Sequence, residues 1–219
     1  KGLQAYQVPV VVIELDQQLE AVTLPYTLMK SLSEHENGYW VFSSALNESY
    51  KAAFKALASG LSVRRTRSAI QLAGETLPAG SFIISGVKGV KVSKVTDSLS
   101  VQPDWVAANP DTTVTTLAMP RIGLVESWFS DMDAGWTRYL FDQYHIPYTV
   151  IRPADIAKKT FELNFDVILF PDEDKNVLME GKSKAGDDYF MANYPPEFTK
   201  GMGKDGFQKV LKFIRNGGT

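Results

Sequence analysis

The pattern of apolar and polar residues is clearest between residues 121 and 151. It opens with a short apolar run after Pro120, typical of a buried strand, made by Ile122, Leu124 and Val125. Apolar residues then recur at every fourth position, which predicts a helix with one apolar stripe: Met132, Trp136, Leu140 and Tyr144. Ile146-Pro147 ends this helix, and a second strand begins at Tyr148. We therefore expect a β-α-β unit with two parallel strands.

Downstream of this unit, the pattern predicts one more buried strand and one more helix. The strand is the apolar run from Phe165 to Phe170, and the helix carries its apolar residues at Phe207, Val210, Leu211 and Ile214. Residues 173–206 between them are polar and dotted with glycine, and we expect a long loop there, either functional or partly disordered. Thr219 would be the first residue of a further strand, so the predicted sheet lacks a member unless a longer parent protein supplies it.

The first half of the chain predicts a second, smaller α/β unit. Residues 1–37 hold one strand-like run, Gln7 to Leu15, and are interpreted as a connecting segment. Residues 38–112 follow as a small α/β unit, with a strand at Tyr39 to Phe42, a helix at Glu48 to Ala58 capped by Asn47, strands from Leu61 onward and a helix near Val90 to Ser98. The segment QPDWVAANPDTT is expected to be an irregular linker. The third region, 119–219, is the parallel-sheet domain.

Composition narrows the classes of function. The chain has 219 residues, is 44% apolar and carries a net charge of −2, as expected for globular domains of ordinary size. Its densest basic cluster, Arg64, Arg65 and Arg67, lies in an alternating segment and is expected to form a solvated strand face, so nucleic acid is not an expected partner. The apolar run from Val8 to Ile13 is too short to span a membrane.

Catalytic chemistry is not expected from this chain alone. It has no cysteine, which removes disulfides, thiolate metal sites and cysteine nucleophiles. Its two histidines, His35 and His145, lack a glutamate three positions later, so neither belongs to a His-x-x-Glu zinc pair. A Gly-x-Ser-x-Gly elbow is also missing. We therefore predict no catalytic residue and no metal or other cofactor in this chain.

A binding site is a more open question. In parallel sheets, ligands bind outside the carboxyl ends of the strands, which here are followed by the loops 128–133 and 171–174 and by part of the loop 194–203. Acidic and aromatic side chains in and beside these loops, with one counter-charge, are the candidate binding residues: Trp128, Asp131, Asp133, Trp136, Arg138, Asp172, Tyr194 and Glu197. Plainer alternatives exist, because Asp131 and Asp133 would stabilise a helix N-terminus, Trp136 lies on the apolar stripe, and Arg138 would pair with a neighbouring carboxylate.

The sequence GMGKDG before the last helix has the spacing Gly-x-Gly-x-x-Gly, given by Gly201, Gly203 and Gly206. A dinucleotide-binding loop with this spacing follows a strand, whereas this one follows a polar loop. A helix-entry turn is the favoured interpretation, and dinucleotide binding is the alternative for this loop.

Several strings carry a family resemblance. PRIGLVESWFSDMDAGWTRYLFDQYHIPYTVI, FDVILFPD and YPPEFTKGMGKDGFQKVLKFIRNGGT resemble the class I glutamine amidotransferase-like domain that follows the catalytic domain in a group of bacterial zinc carboxypeptidases. Tyr39-Trp40-Val41, the helix with Val63 after it and LPAGSFII are similar to the segment that joins the peptidase to that domain. The resemblance covers about residues 38–219, and DMDAGWTR and LPAGSF are its more specific strings.

The resemblance implies a fold and a role. The fold would be α/β, with a truncated flavodoxin-like or class I amidotransferase-like parallel-sheet domain preceded by a smaller α/β unit. The role would be that of a non-catalytic accessory region of a zinc carboxypeptidase-like protein, supporting packing or substrate recognition. An active amidotransferase needs an activated cysteine, which this chain lacks.

The same resemblance implies partners and a location. The partner would be the peptidase domain of a longer protein, of which this chain would be a piece, with zinc held in that domain and a cell-envelope peptide or sugar as ligand. Its location would be periplasmic or secreted. The alternative is a stand-alone small-molecule binding domain of flavodoxin-like topology, taking a nucleotide or a sugar at the carboxyl ends of its strands.

Overall fold

A computed structural model of the chain describes residues 32, 35, 38–72, 74–110, 112–128, 131–158, 165–185, 188–189, 195 and 198–219. The chain divides into two compact units, and the division falls between Leu117 and Ala118. The predicted strand from Gln7 to Leu15 lies outside the described residues. Within those residues, no helix is both long and apolar enough to cross a membrane.

The first unit is built on a five-stranded antiparallel sheet. Its strands are β1 (Tyr39–Phe42), β2 (Val63–Thr66), β5 (Phe82–Ser85), β6 (Asp104–Val106) and β7 (Val114–Thr116), in the order β6-β1-β5-β2-β7. Between β2 and β5, the strands β3 (Ile70–Leu72) and β4 (Glu75–Leu77) form a hairpin. Two helices complete the unit, α1 (Asn47–Ala58) and α2 (Gly89–Thr96).

Alternation along the strands gives this sheet two packed faces, because successive side chains of a strand point to opposite sides. Trp40 and Phe42 lie in the same apolar cluster as residues of α1 and α2. Val41 lies in the other cluster, with residues of the β3-β4 hairpin. The predicted strand at Tyr39 to Phe42 and the two predicted helices of this unit are therefore confirmed.

The predicted linker after α2 is wrong. Asp104–Val106 pairs with β1 as strand β6, and Val114–Thr116 pairs with β2 as strand β7. The sheet thus continues past residue 112, where the sequence pattern placed the end of the unit. Both strands have only three residues, and their pairing partners lie far away in the sequence, so local periodicity does not reveal them. The predicted cap is also displaced, since Leu46 takes the N-cap position and Asn47 is the first helical residue.

The second unit contains the predicted parallel sheet. Its strands are β8 (Ile122–Val125), β9 (Tyr148–Ile151) and β10 (Val167–Leu169), in the order β10-β8-β9, and both neighbouring pairs are parallel. Helix α3 (Asp131–Tyr144) connects β8 to β9, and a 3₁₀ helix (Pro153–Ala157) follows β9. The chain then forms α4 (Lys175–Glu180), a short hairpin of β11 (Lys184–Ala185) and β12 (Asp188–Tyr189), and α5 (Gly203–Arg215).

Helix α3 buries a different face from the one the sequence pattern indicates. Ala134 is buried, whereas Met132 and Trp136 of the apolar stripe are 71% and 64% exposed. The residues least exposed along the helix recur three or four positions apart, at Ala134, Thr137, Phe141 and Tyr144. The small Ala134 and the half-buried residues after it face inward, and most of the larger apolar side chains face outward.

The segment after β10 is more structured than predicted. Asp174 caps α4, and its side chain accepts a hydrogen bond of 2.6 Å from the backbone N–H of Asn176. The backbone N–H of Met202 donates to the carbonyl of Leu178 at 2.8 Å, which fixes the chain before α5 against α4. The prediction of one long loop over 173–206 is therefore wrong for the described part of that segment.

An ion pair joins the amino ends of β8 and β10. The guanidinium of Arg121 lies 2.6 Å from Asp166, which also accepts the backbone N–H of Arg121 at 2.9 Å. These hydrogen bonds lower the pKa of Asp166 to about 2. The backbone of Asp166 in turn accepts a hydrogen bond of 3.2 Å from Thr219.

Candidate functional site

The carboxyl ends of the three parallel strands bring charged, polar and aromatic residues to one edge of the sheet. The residues that follow the strands here are Glu126, Ser127 and Trp128 after β8, Arg152 after β9, and Glu173 after β10. We call this group, with Phe198, the carboxyl edge. The backbone of Glu126 is held by β9, because its N–H donates to the Ile151 carbonyl at 2.9 Å. In open parallel sheets this is the edge at which ligands bind.

Glu173 links the ends of β8 and β10. The hydroxyl of Ser127, which is buried, donates a hydrogen bond to the Glu173 carboxylate. The other carboxylate oxygen accepts the backbone N–H of Asp174 at 2.8 Å. A small cavity lies beside this contact, lined among others by Ser127, Asp172 and Glu173. Because both oxygens of Glu173 are engaged, the carboxylate holds the two loops together.

An aromatic and cationic layer lies on the same edge. The ring of Trp128 is 5.4 Å from the ring of Phe198, measured between centroids, and Trp128 is 51% exposed. The guanidinium of Arg152 lies 4.9 Å from the centroid of the Phe198 ring. Phe198 is thus in contact with residues that follow two different strands.

The turn after β9 fixes the backbone at Arg152. The carboxylate of Asp155 accepts the backbone N–H of Arg152 at 3.0 Å and lies 2.5 Å from the ammonium group of Lys158. Burial raises the pKa of Asp155, but the hydrogen bonds from Lys158 and Arg152 outweigh it, so the pKa lies below its ordinary value. Asp155 is therefore charged at neutral pH and stabilises the first turn of the 3₁₀ helix.

Arg138 extends the charged part of the edge. Its guanidinium lies 3.1 Å from the Glu126 carboxylate, so the plainer alternative, pairing with a neighbouring carboxylate, is confirmed. The pKa of Arg138 is raised, mainly by a hydrogen bond to Tyr148 and next by the negative charge of Glu126. The guanidinium is 47% exposed and the carboxylate 19% exposed, which leaves part of the pair open to a ligand.

The structure brings together some of the predicted binding residues. Trp128 and Asp172 follow β8 and β10, and Arg138 reaches Glu126 from α3. Asp133 is exposed in the first turn of α3, and its carbonyl accepts a hydrogen bond from Thr137. Asp131 is the first residue of α3; its side chain, like Tyr194 and Glu197, lies outside the part of the chain that the structure describes.

Trp136 lies away from Ala134 and Arg138. Those two residues are four positions apart and share a face of α3, whereas Trp136 lies two positions from each and so points to the opposite side. Its exposed ring contacts Tyr139 instead. The prediction that Trp136 lies on a buried apolar stripe is wrong.

Sequence reasoning missed several residues of the edge: Glu126, Ser127, Arg152, Glu173 and Phe198. Each of the first four directly follows a strand or lies in the first loop after it, which is the signal that could have identified them. Ser127 and Glu173 are 46 residues apart in the sequence, and only the parallel pairing of β8 with β10 brings them into contact.

In the described part of the chain, neither histidine is recorded in contact with Ser127. The recorded side-chain partner of Ser127 is the Glu173 carboxylate. His145 lies just after α3 with a φ of 56°, and His35 of the first unit stacks on Trp105 at 4.2 Å. Among the described residues, no group of three or more potential ligands is arranged to hold a metal ion.

Two glycines of the Gly-x-Gly-x-x-Gly string, Gly201 and Gly206, lie in close packing contacts, whereas the third, Gly203, has a φ of 60°. A Cβ atom on Gly201 would lie 2.1 Å from the Met179 carbonyl carbon, and one on Gly206 would lie 2.7 Å from Met202. Gly206 is inside α5, so the string is not a loop that precedes the helix. This arrangement favours a helix-entry turn over a phosphate-binding loop.

Comparison with protein-family models, with curated proteins and with solved structures gave no match for this chain.

Proposed function

We propose that the chain is a non-catalytic accessory region of a zinc carboxypeptidase-like protein, and that its carboxyl edge recognises a peptide or sugar of the cell envelope. The observation that supports this proposal is the layer of Trp128, Phe198 and Arg152 beside the Arg138–Glu126 pair. Aromatic surface with a few placed charges is the usual composition of a site for a polar organic ligand. The peptidase part of the proposal is based on the family resemblance of the sequence.

The proposal includes a finer description of the fold. The second unit would be the first part of a flavodoxin-like or class I amidotransferase-like sheet. Numbered along the chain, its strands are arranged 2-1-3, and a flavodoxin-like sheet begins in the same way. The position between β8 and β10 is then the topological switch point, where Ser127 and Glu173 meet.

Zinc belongs to the peptidase domain under this proposal. The residues of this chain do not fit a zinc site, because neither histidine belongs to a His-x-x-Glu pair. The expected location is periplasmic or secreted, in keeping with a cell-envelope substrate.

The binding part of the proposal is tested by titration of the purified chain. The probes are a short peptide with a free carboxylate and an N-acetylated amino sugar. Binding of each probe is measured by NMR from the indole N–H signals of the tryptophans. We expect at least one probe to shift the Trp128 signal saturably, because its ring is exposed on the edge. Trp128→Ala should weaken that binding about tenfold or more, as the loss of a buried aromatic contact does.

Trp136→Ala is the matched control, since it removes an exposed tryptophan from the far side of α3. Its affinity should equal that of the unchanged chain. Equal loss in both variants, or no shift of Trp128 with either probe, would refute recognition at this edge.

The metallopeptidase part is tested on the longer protein. Its coding sequence should contain a His-x-x-Glu motif upstream of Lys1, and the purified protein should bind zinc in a 1:1 ratio outside this chain. A coding sequence without such a motif would refute this part and leave the binding test unaffected.

A second candidate function is a stand-alone small-molecule binding domain of flavodoxin-like topology. The observation that favours it is the position of Ser127, Asp172 and Glu173 after β8 and β10, at the topological switch point where ligands bind in sheets of this kind. Saturable binding of a nucleotide that shifts the backbone signals of these residues, with no response to the peptide or sugar, would favour this candidate over the first.

A further inference from the structure

An apolar groove lies between α4, α5 and the end of β10. It has a volume of about 540 Å³, within the range of about 300–1,000 Å³ that is typical of sites for small organic ligands. Most of the residues that line it are apolar: Phe170, Leu178, Met179, Met202, Phe207 and Val210. Because these side chains carry no N–H or O–H donor, the part of a ligand that lies among them has to be apolar.

The walls of the groove are fixed by the fold. Met202 is buried in the core cluster of the second unit, and Leu178 and Met179 of α4 and Val210 of α5 pack against that cluster. The backbone N–H of Met202 donates to the Leu178 carbonyl at 2.8 Å, which joins α4 to the residue before α5. Phe207 is 45% exposed and lies on the open side. The groove is therefore preformed, and its two methionines can adapt to tails of different shape.

Lys175 is the charge that this groove offers to a ligand. Glu173 also belongs to the lining, but both of its carboxylate oxygens are engaged, by the Ser127 hydroxyl and by the backbone N–H of Asp174. Lys175 is exposed at the first residue of α4, and within the described residues its ammonium group makes no hydrogen bond or ion pair. A negatively charged group beside Lys175 would gain an attraction without breaking an existing pair.

We propose that this groove binds a small amphiphile with an aliphatic tail and a single carboxylate head, such as a medium-chain fatty acid. The tail lies among the apolar side chains, and the carboxylate lies beside the Lys175 ammonium. Burial of the tail supplies most of the affinity, and the exposed ion pair selects the charge of the head. This goes beyond recognition at the carboxyl edge, because the groove shares only Glu173 with that edge and takes an apolar ligand.

Decanoate and decyltrimethylammonium test the proposal, because they carry the same linear tail on heads of opposite charge. Each is titrated into the full chain below the concentration at which it forms micelles, and binding is measured by NMR from the methionine methyl signals. We expect decanoate to shift the Met179 and Met202 signals saturably. It should bind about fivefold or more tightly than the cation, because Lys175 attracts one head and repels the other. Met132, which is 71% exposed on α3, should not shift and reports non-specific binding.

Two variants separate the head from the tail. Lys175→Gln should abolish the preference, so that the two probes bind with about equal affinity. Phe207→Ser should weaken both probes about threefold or more, because it removes a half-exposed ring from the groove. Ile214→Ser is its matched control, since Ile214 is 56% exposed on the same helix and does not line the groove. Both affinities should be unchanged in this control.

The proposal is overturned if decanoate shifts neither Met179 nor Met202, if Met132 shifts in parallel with them, or if the unchanged chain does not distinguish the two heads. A preference for decanoate that persists in Lys175→Gln would overturn the assignment of the head to this residue. Binding to vesicles of an anionic phospholipid, without a response to monomeric decanoate, would identify a membrane surface instead and would also overturn it. None of these outcomes bears on the Trp128 titration, which follows a different signal and different probes.

Discussion

Gly201→Ala is expected to destabilise the second unit through a clash with the backbone of α4. A Cβ atom at this position would lie 2.1 Å from the carbonyl carbon of Met179 and 2.3 Å from the backbone nitrogen of Glu180. Both atoms belong to the backbone at the end of α4, so rotation of a side chain cannot relieve the contact. Either α4 or the chain before α5 has to move.

The cost follows from the packing that would be disturbed. Overpacking of a well-packed interior typically costs about 1–3 kcal/mol, and backbone neighbours place this site toward the upper end. For a unit of about 100 residues, each kcal/mol lowers the midpoint of thermal unfolding by about 4–8 °C. Phe198, three residues before Gly201, should also shift relative to Arg152, which would weaken the aromatic layer of the carboxyl edge.

The matched control is Gly135→Ala in α3. A Cβ atom at Gly135 would meet no other heavy atom within 4 Å. Because alanine is the better helix former, this change should stabilise the unit by about 0.5–1 kcal/mol. Urea unfolding followed by NMR amide signals of β8 measures the second unit separately from the first. The reasoning is refuted if Gly201→Ala is as stable as the unchanged chain or as Gly135→Ala.

Three further predictions concern the second unit. Arg121 depresses the pKa of Asp166 from 3.8 to about 2, so the pair contributes stability that is fully present above pH 3.8 and is lost as the pH falls through about 2. In Arg121→Ala, an NMR titration of the Asp166 carboxyl should show a midpoint near the ordinary value. An unchanged midpoint would contradict the role of Arg121. Glu173→Ala should cost about 1–3 kcal/mol in urea unfolding, since it removes the carboxylate that accepts hydrogen bonds from the buried hydroxyl of Ser127 and from the backbone N–H of Asp174, and a neutral result would contradict the role of this carboxylate in joining the two loops. Ile156→Ala should cost about 2–5 kcal/mol, because this side chain is fully buried between the sheet and α5; a cost below 1 kcal/mol would show that the cavity closes.

The order of the main elements, and the parallel direction of the strands of the second unit, could be predicted from the pattern of apolar and polar residues. The apolar runs at Ile122 to Val125 and Phe165 to Phe170 predicted two strands of the parallel sheet, and both are present. Such strands are detectable because burial on both faces gives continuous apolar runs. The strand predicted at Tyr39 to Phe42 is likewise present, as β1. Local pattern also placed the candidate site at the loops after β8 and β10.

The contacts between residues of those loops depend on how the strands pair in the folded sheet. Ser127 and Glu173 contact each other because β8 and β10 are neighbours in the sheet, and no periodicity in the sequence carries that information. The buried face of α3 was decided in the same way. Ala134 is small enough for the helix to lie close to its neighbours, so the inward face is the one with the small residue and most of the larger apolar stripe remains outside. Periodicity shows that a helix has an apolar face, whereas the shape of its neighbours determines which face is buried.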